Sequence, residues 1–315
     1  MRAAGTEVIE CVANVSTCDA HALDAMSSAV IATGADLLDV HTDVDHNRAV
    51  LTSAGHGPQV GAGAVALAAC CLDLVDIAVH AGVHPRLGAL DVCPFVPLGF
   101  ADPAAALDAA LAVAESAAAG IAALGIPVFA YERLSPDATT LPQVRRDAFA
   151  AIGPSWGPPR PHPRAGATAV GVRDVLVAFN FDLEDGDGDP VDVSVARAVA
   201  AAVRESNGGP PGLRALGLTL ARQQRVQVST NITRPWECGI GTAWHAVDAA
   251  AARHGAHVVR GELVGLAPAV VFEDADASVL ERCAVTAESS LEAALAQCGL
   301  RDAGDEPLRV PVLPR

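Results

Sequence analysis

Apolar and polar positions change their spacing repeatedly along this chain, and each change predicts an element. Residues 8–16 read as a strand, and 19–32 carry Leu23, Met26, Val30 and Ile31 on one face of a predicted helix. Residues 37–42 and 49–54 read as two further strands, 57–74 as an apolar helix, and 92–98 as a strand. Pro94 and Pro97 predict that the last of these lies at a sheet edge or ends on one. A helix follows over 102–124, with Asp102 as its N-cap and Gly125 as its stop, and then a strand over 128–131. Residues 153–166 are rich in Gly, Pro and Arg and read as a loop or linker.

The same order then returns. Strands are predicted over 175–182, 213–221, 225–232 and 258–266, and helices over 191–204, 241–254 and 277–298. Two βαββαβ units predict an α/β (α+β) fold of two similar subdomains, 1–170 and 171–315, each a sheet with helices packed on it, and a ligand cleft between them.

Composition narrows the function. The chain has 315 residues, 51% of them apolar, enough for a full core without staples. Aromatics are only 3%, which argues against binding single-stranded nucleic acid by stacking. The formal net charge is −16 and every basic residue is Arg, so neither a nucleic-acid nor a membrane partner is expected. Without Lys there is neither a Schiff-base lysine nor a P-loop lysine. The 8 Cys form no Cys-x-x-Cys pair, and no apolar leader opens the chain. Reduced thiols and a cytoplasmic location are expected.

Candidate chemistry concentrates in two segments. One is His41-Thr42-Asp43-Val44-Asp45-His46-Asn47-Arg48, between two strands; the other is His80-Ala81-Gly82-Val83-His84-Pro85-Arg86, between a helix and a strand. An imidazole titrates near neutrality and can take and return a proton in one turnover, so His84 is the candidate acid/base. From the residues alone, a structural loop histidine stays open beside that role. Arg86 presents a fork that matches a carboxylate, and an ion pair with Asp91 is its structural alternative. His80 and His84 are four apart, but Gly82 and Pro85 interrupt any helix there, and no ligand spacing is diagnostic; no metal is expected.

The run Gly82-Val83-His84-Pro85-Arg86-Leu87-Gly88-Ala89-Leu90-Asp91-Val92-Cys93-Pro94-Phe95-Val96-Pro97 resembles the signature of the glutamate formimidoyltransferase (formiminotransferase) family. Glu10-Cys11-Val12 with Asn14, Asn47-Arg48, Ala178-Phe179-Asn180, Val228-Ser229-Thr230-Asn231 and Leu263-Val264-Gly265-Leu266 match in the same order, so the resemblance spans nearly the whole chain. It implies two similar α/β subdomains with folate in the cleft, a homodimer, and a stand-alone transferase without a cyclodeaminase domain. It implies transfer of a formimidoyl group from N-formimidoyl-L-glutamate to tetrahydrofolate as co-substrate, with His84 as acid/base. Asn14, His41, His46, Asn47, Arg48 and Arg86 are the expected substrate-binding residues, and Arg164, Gly166, Ala167 and Thr168 the expected folate-binding ones. Open amides at Gly166 are expected to meet the ring or a carboxylate. The chain departs from the family pattern at Val83, at His41 and at Thr17-Cys18, which keeps two alternatives: one-carbon transfer to or from a different amine, and a non-catalytic folate-binding relative or metal-dependent hydrolase.

Overall fold

The computed structural model describes residues 7–82, 86–302, 308 and 310–314. The chain divides into two compact units, residues 1–174 with 295–315 and residues 175–294.

The first unit starts with β1 (Val8–Val15), α1 (Ala20–Ile31), β2 (Asp36–Asp43), β3 (Arg48–Gly55), α2 (Gly57–Leu74) and β4 (Leu90–Leu98). It continues with α3 (Pro103–Ala123), β5 (Val128–Glu132), α4 (Leu141–Asp147) and β6 (Thr168–Val172). The six strands form one sheet in the order β2-β3-β1-β4-β6-β5. Strands β1 to β4 pair antiparallel, while β6 pairs parallel with both β4 and β5.

Alternation along β1 explains the layering. Ile9, Cys11, Ala13 and Val15 enter a core with Leu23, Met26 and Val30 of α1, Val60, Leu67 and Cys71 of α2, and Ala114 and Ile121 of α3. Glu10, Val12 and Asn14 therefore stand on the opposite face, on which Val144 of α4 packs further along, against Val92, Phe129 and Tyr131. Helices α2 and α3 approach closely because Gly61 faces Val113: a Cβ there would lie 3.3 Å from Val113 Cγ1. Both helices are long and apolar enough to cross a bilayer, and both lay their small residues into this core. Asp102 caps α3 by accepting from Ala104 N–H at 3.0 Å, and Gly125 stops it at φ 83°.

The second unit comprises β7 (Val177–Asp185), α5 (Val193–Val203), β8 (Leu213–Leu220), β9 (Arg225–Ile232), α6 (Ile240–Ala252), β10 (Ala256–Val264) and α7 (Ala277–Arg282), with α8 (Leu291–Gln297) leading out. Its antiparallel sheet has the order β10-β7-β9-β8. Phe179, Phe181, Val228 and Trp244 fill its core, with Phe181 and Trp244 edge to face at 6.0 Å. Reversed, that order is β8-β9-β7-β10, the same arrangement as β2-β3-β1-β4. The repeat in the hydrophobic pattern is thus a repeat of fold.

Two expectations are corrected, and one strand lies where none was expected. The strand at 92–98 is interior: β4 lies between β1 and β6. It tolerates proline because its pairing with β1 is interrupted between Cys11↔Phe95 and Asn14↔Val92, where Pro94 has no N–H to give. Residues 153–166 form the expected loop, and the strand β6 that follows them at 168–172 had no expectation against it. The single helix expected over 277–298 breaks into α7 and α8: Ala284 takes φ 50°, and a Thr286–Ser289 capping box starts a short 3-10 turn.

Candidate active site

The site is built where the β2–β3 hairpin meets the segment leading into β4. The hairpin turns through residues 44–47, and Asp43 holds the turn by accepting from His46 N–H at 2.7 Å. Asn47 closes it at φ 46°, a left-handed conformation that Asn tolerates better than most residues. Its side chain spans three segments. Oδ1 accepts from the Cys18 backbone at 3.3 Å, and Nδ2 donates to Ala81 O at 3.1 Å. Gly82 lets the second segment come this close, because a Cβ there would fall on the His46 carbonyl and lie 2.7 Å from Arg86 Nη2.

Ser16, His46, Asn47, Arg48, Arg86 and Asp91 line one recess at this junction. Arg48 donates to Asn14 Oδ1. Burial pulls the Arg48 guanidinium down to about 10; Asp91 opposes that shift, and Arg145 and Arg86 add to it. It stays charged at neutral pH. Burial also lowers Arg86, again with Asp91 opposing and Arg145 adding. Asp91 is 2% exposed and takes Arg145 Nη2 at 2.6 Å and the Leu87 N–H at 2.6 Å. Three guanidiniums thus gather around this one carboxylate in a chain whose net charge is −16, with Asp43 also acting on Arg48. The forks of Arg48 and Arg86, which line the recess, match a carboxylate in shape and charge.

His80 stands behind Arg86. Its Nε2 lies 2.9 Å from both Arg86 Nη1 and Asn47 O, so only one of the two contacts is a hydrogen bond in either tautomer. A bare Nε2 accepts from the guanidinium; a protonated one donates to the carbonyl.

The structure therefore brings together Asn14, His46, Asn47, Arg48 and Arg86. His41 stands on β2 opposite Val50 and is not part of the recess lining. His84, with Val83 and Pro85, lies outside the described residues; on either side of it, Ala81 and Leu87 are tied to Asn47 and Asp91.

Gly166, Ala167 and Thr168 hold the signature segment from behind. Their N–H groups donate to His162 O, Leu87 O and Pro127 O, so the amides expected to be open are taken. A Cβ on Gly88 would fall on the carbonyl oxygens of Ala165 and Ala167. Ser16 Oγ donates to Gly88 O at 2.8 Å, and Thr168 Oγ1 to Leu90 O at 2.8 Å. Arg164 is exposed, 3.7 Å from Asp76. Among the described residues no group of three or more His, Cys, Asp or Glu is placed to hold a metal.

Ser16, Asp91 as the hub, His80 and Arg145 were not among the expected site residues. Arg145 sits on α4, and the signal for that helix was present: Thr140 with Gln143 forms a capping box, and Pro142 falls in the first turn.

Comparisons with known proteins agree along the chain. Residues 8–173 match the family model described as formiminotransferase domain, N-terminal subdomain, and residues 178–305 the one described as formiminotransferase domain. A glutamate formimidoyltransferase of Streptococcus pyogenes serotype M1 is 34% identical over 281 residues, covering 85% of this chain and 91% of the relative. One from Thermoplasma acidophilum is 30% identical, covering 83% and 88%. The formimidoyltransferase-cyclodeaminase of Sus scrofa is 33% identical over 88% of this chain, which spans 53% of that longer protein.

Proposed function

From the premise that this chain belongs to the formiminotransferase family and is a transferase enzyme, we propose that it moves the formimidoyl group of N-formimidoyl-L-glutamate to tetrahydrofolate. The observation that carries this reading is the arginine-lined recess at the foot of the signature segment. A donor with two carboxylates needs fork-shaped donors and amide groups held rigidly, and Arg48, Arg86, Asn14 and Asn47 supply both.

The chemistry follows from the bonds. The N5 lone pair of tetrahydrofolate attacks the formimidoyl carbon, forming a C–N bond and a tetrahedral intermediate. The bond to the glutamate nitrogen then breaks, and its electron pair stays on that nitrogen. N5 gives up one proton and the departing amine takes one. His84 is assigned both transfers, worth about 10²–10⁴ in rate. The recess arginines hold the donor's carboxylates and leave the reacting carbon to the signature loop. Folate as acceptor, a cytoplasmic location and a homodimer belong to the same reading.

The test is steady-state turnover of N-formimidoylglutamate with tetrahydrofolate, read by folate absorbance, for wild type and His84→Gln. A folded variant whose kcat falls at least about a hundredfold supports the assignment. Near-wild-type turnover removes His84 from it.

A further inference from the structure

We infer that Arg145 is a positioning residue: it saturates Asp91 from outside the recess, so that this buried carboxylate does not draw Arg48 or Arg86 away from an anionic substrate. The inference rests on the reading of the recess as the donor's carboxylate site.

The geometry is one-sided. Arg145 Nη2 meets Asp91 Oδ2 at 2.6 Å, its Nη1 lies 3.4 Å from Oδ1, and the Leu87 N–H reaches Oδ1 at 2.6 Å. Both oxygens are thus engaged by groups that do not line the recess, whereas Asp91, Arg48 and Arg86 do line it. Asp91 nonetheless acts electrostatically on both recess arginines. A carboxylate at 2% exposure cannot stay unpaired without a large penalty. Without Arg145 its cationic neighbours are the two guanidiniums the substrate needs. Either one captured by Asp91 is lost to recognition, and the cost appears in ground-state binding rather than in proton transfer. Helix α4, which carries no recess-lining residue, gains a role as the rigid mount for this partner.

The test is a charge-removal cycle on the full chain: Arg145→Gln, Asp91→Asn and the double variant. Arg145→Gln is expected to raise KM for N-formimidoylglutamate about tenfold, equivalent to ~1.4 kcal/mol, with kcat changed much less. Adding Asp91→Asn removes the competing charge and should bring KM back most of the way. A pair that serves only to hold the fold predicts the opposite, a double variant no better than the single one. Calorimetric titration with glutarate, a plain dicarboxylate, should rank the proteins in the same order without any turnover. If Arg145→Gln does not fold, Arg145→Lys, which keeps the charge and loses the fork, should show a smaller rise in KM that Asp91→Asn again cancels. A wild type that turns over the donor, with variants that keep its KM, overturns the inference and leaves the proposed function standing. A wild type that does not turn over, yet binds glutarate in the expected order across the variants, supports the inference and defeats that function. A wild type that binds no dicarboxylate overturns both.

Discussion

Replacing Glu10 by Gln is expected to stabilise this fold, and to do so most above neutral pH. Glu10 lies on the face of β1 turned away from the α1–α3 core, opposite Ala54 on β3 and Val96 on β4, and is 4% exposed. Burial raises its carboxyl from 4.5 to about 7, and Arg173 pulls the other way without cancelling the effect. Between those two values the folded chain holds a proton that the unfolded chain has released. Stability contributed by this group is therefore fully present below pH 4.5 and lost as pH rises to about 7. The displacement corresponds to about 3 kcal/mol at and above neutrality, and to about 1 kcal/mol near pH 5. Gln keeps the shape and cannot ionise, so it escapes the penalty. Urea unfolding of wild type and Glu10→Gln at about pH 5, 7 and 8.5 reads the difference directly. The expected result is a gap that widens with pH and then levels off. Parallel profiles, or a variant less stable than wild type at high pH, would show that Arg173 holds the ionised carboxylate and that the burial argument is wrong.

Two further outcomes follow from the site's construction. Gly88→Ala forces a methyl group onto the carbonyls of Ala165 and Ala167, which are backbone and cannot swing away. Losing the Ala89 N–H to Ala165 O and Ala167 N–H to Leu87 O bonds should cost about 2–3 kcal/mol in urea unfolding; a loss under about 0.5 kcal/mol would mean the segment is not held from behind. Arg86→Lys keeps the charge but loses the fork that reaches His80, so KM for the donor should rise with kcat nearly unchanged. A lowered melting temperature with KM intact would make Arg86 a structural group instead.

Much of this is legible in the chain. The switch of apolar spacing from period two to period 3.6 marks β1 and α1, and its return in the second half marks the duplicated sheet order. Asp102 and Gly125 bound α3 because capping and the left-handed stop are local chemistry. What escaped was non-local. Pro94 signalled an edge, yet β4 is central, because the cost of a missing N–H depends on which neighbour it would have faced. Strand β6 is five residues long and was hidden behind a run of Gly, Pro and Arg. Arg145 and Asp91 are 54 residues apart, and nothing in spacing announces an ion pair closed by the fold. Gly166 suggests open amides for a ring or a carboxylate, but its φ of 69° serves a backbone-to-backbone contact with Leu87 and Gly88 and its N–H is given to His162 O. A glycine's freedom says that something comes close, and not whether it is ligand or chain.

The central claim is transfer of an intact one-carbon unit between two small molecules. N-formimidoylglutamate labelled with ¹³C at the formimidoyl carbon, incubated with the purified chain and followed by NMR with and without tetrahydrofolate, tests it most directly. The label is expected to move to the folate as glutamate appears, with nothing released when tetrahydrofolate is withheld. Label appearing in formamide or formate in the absence of folate, or remaining on glutamate in its presence, would contradict it.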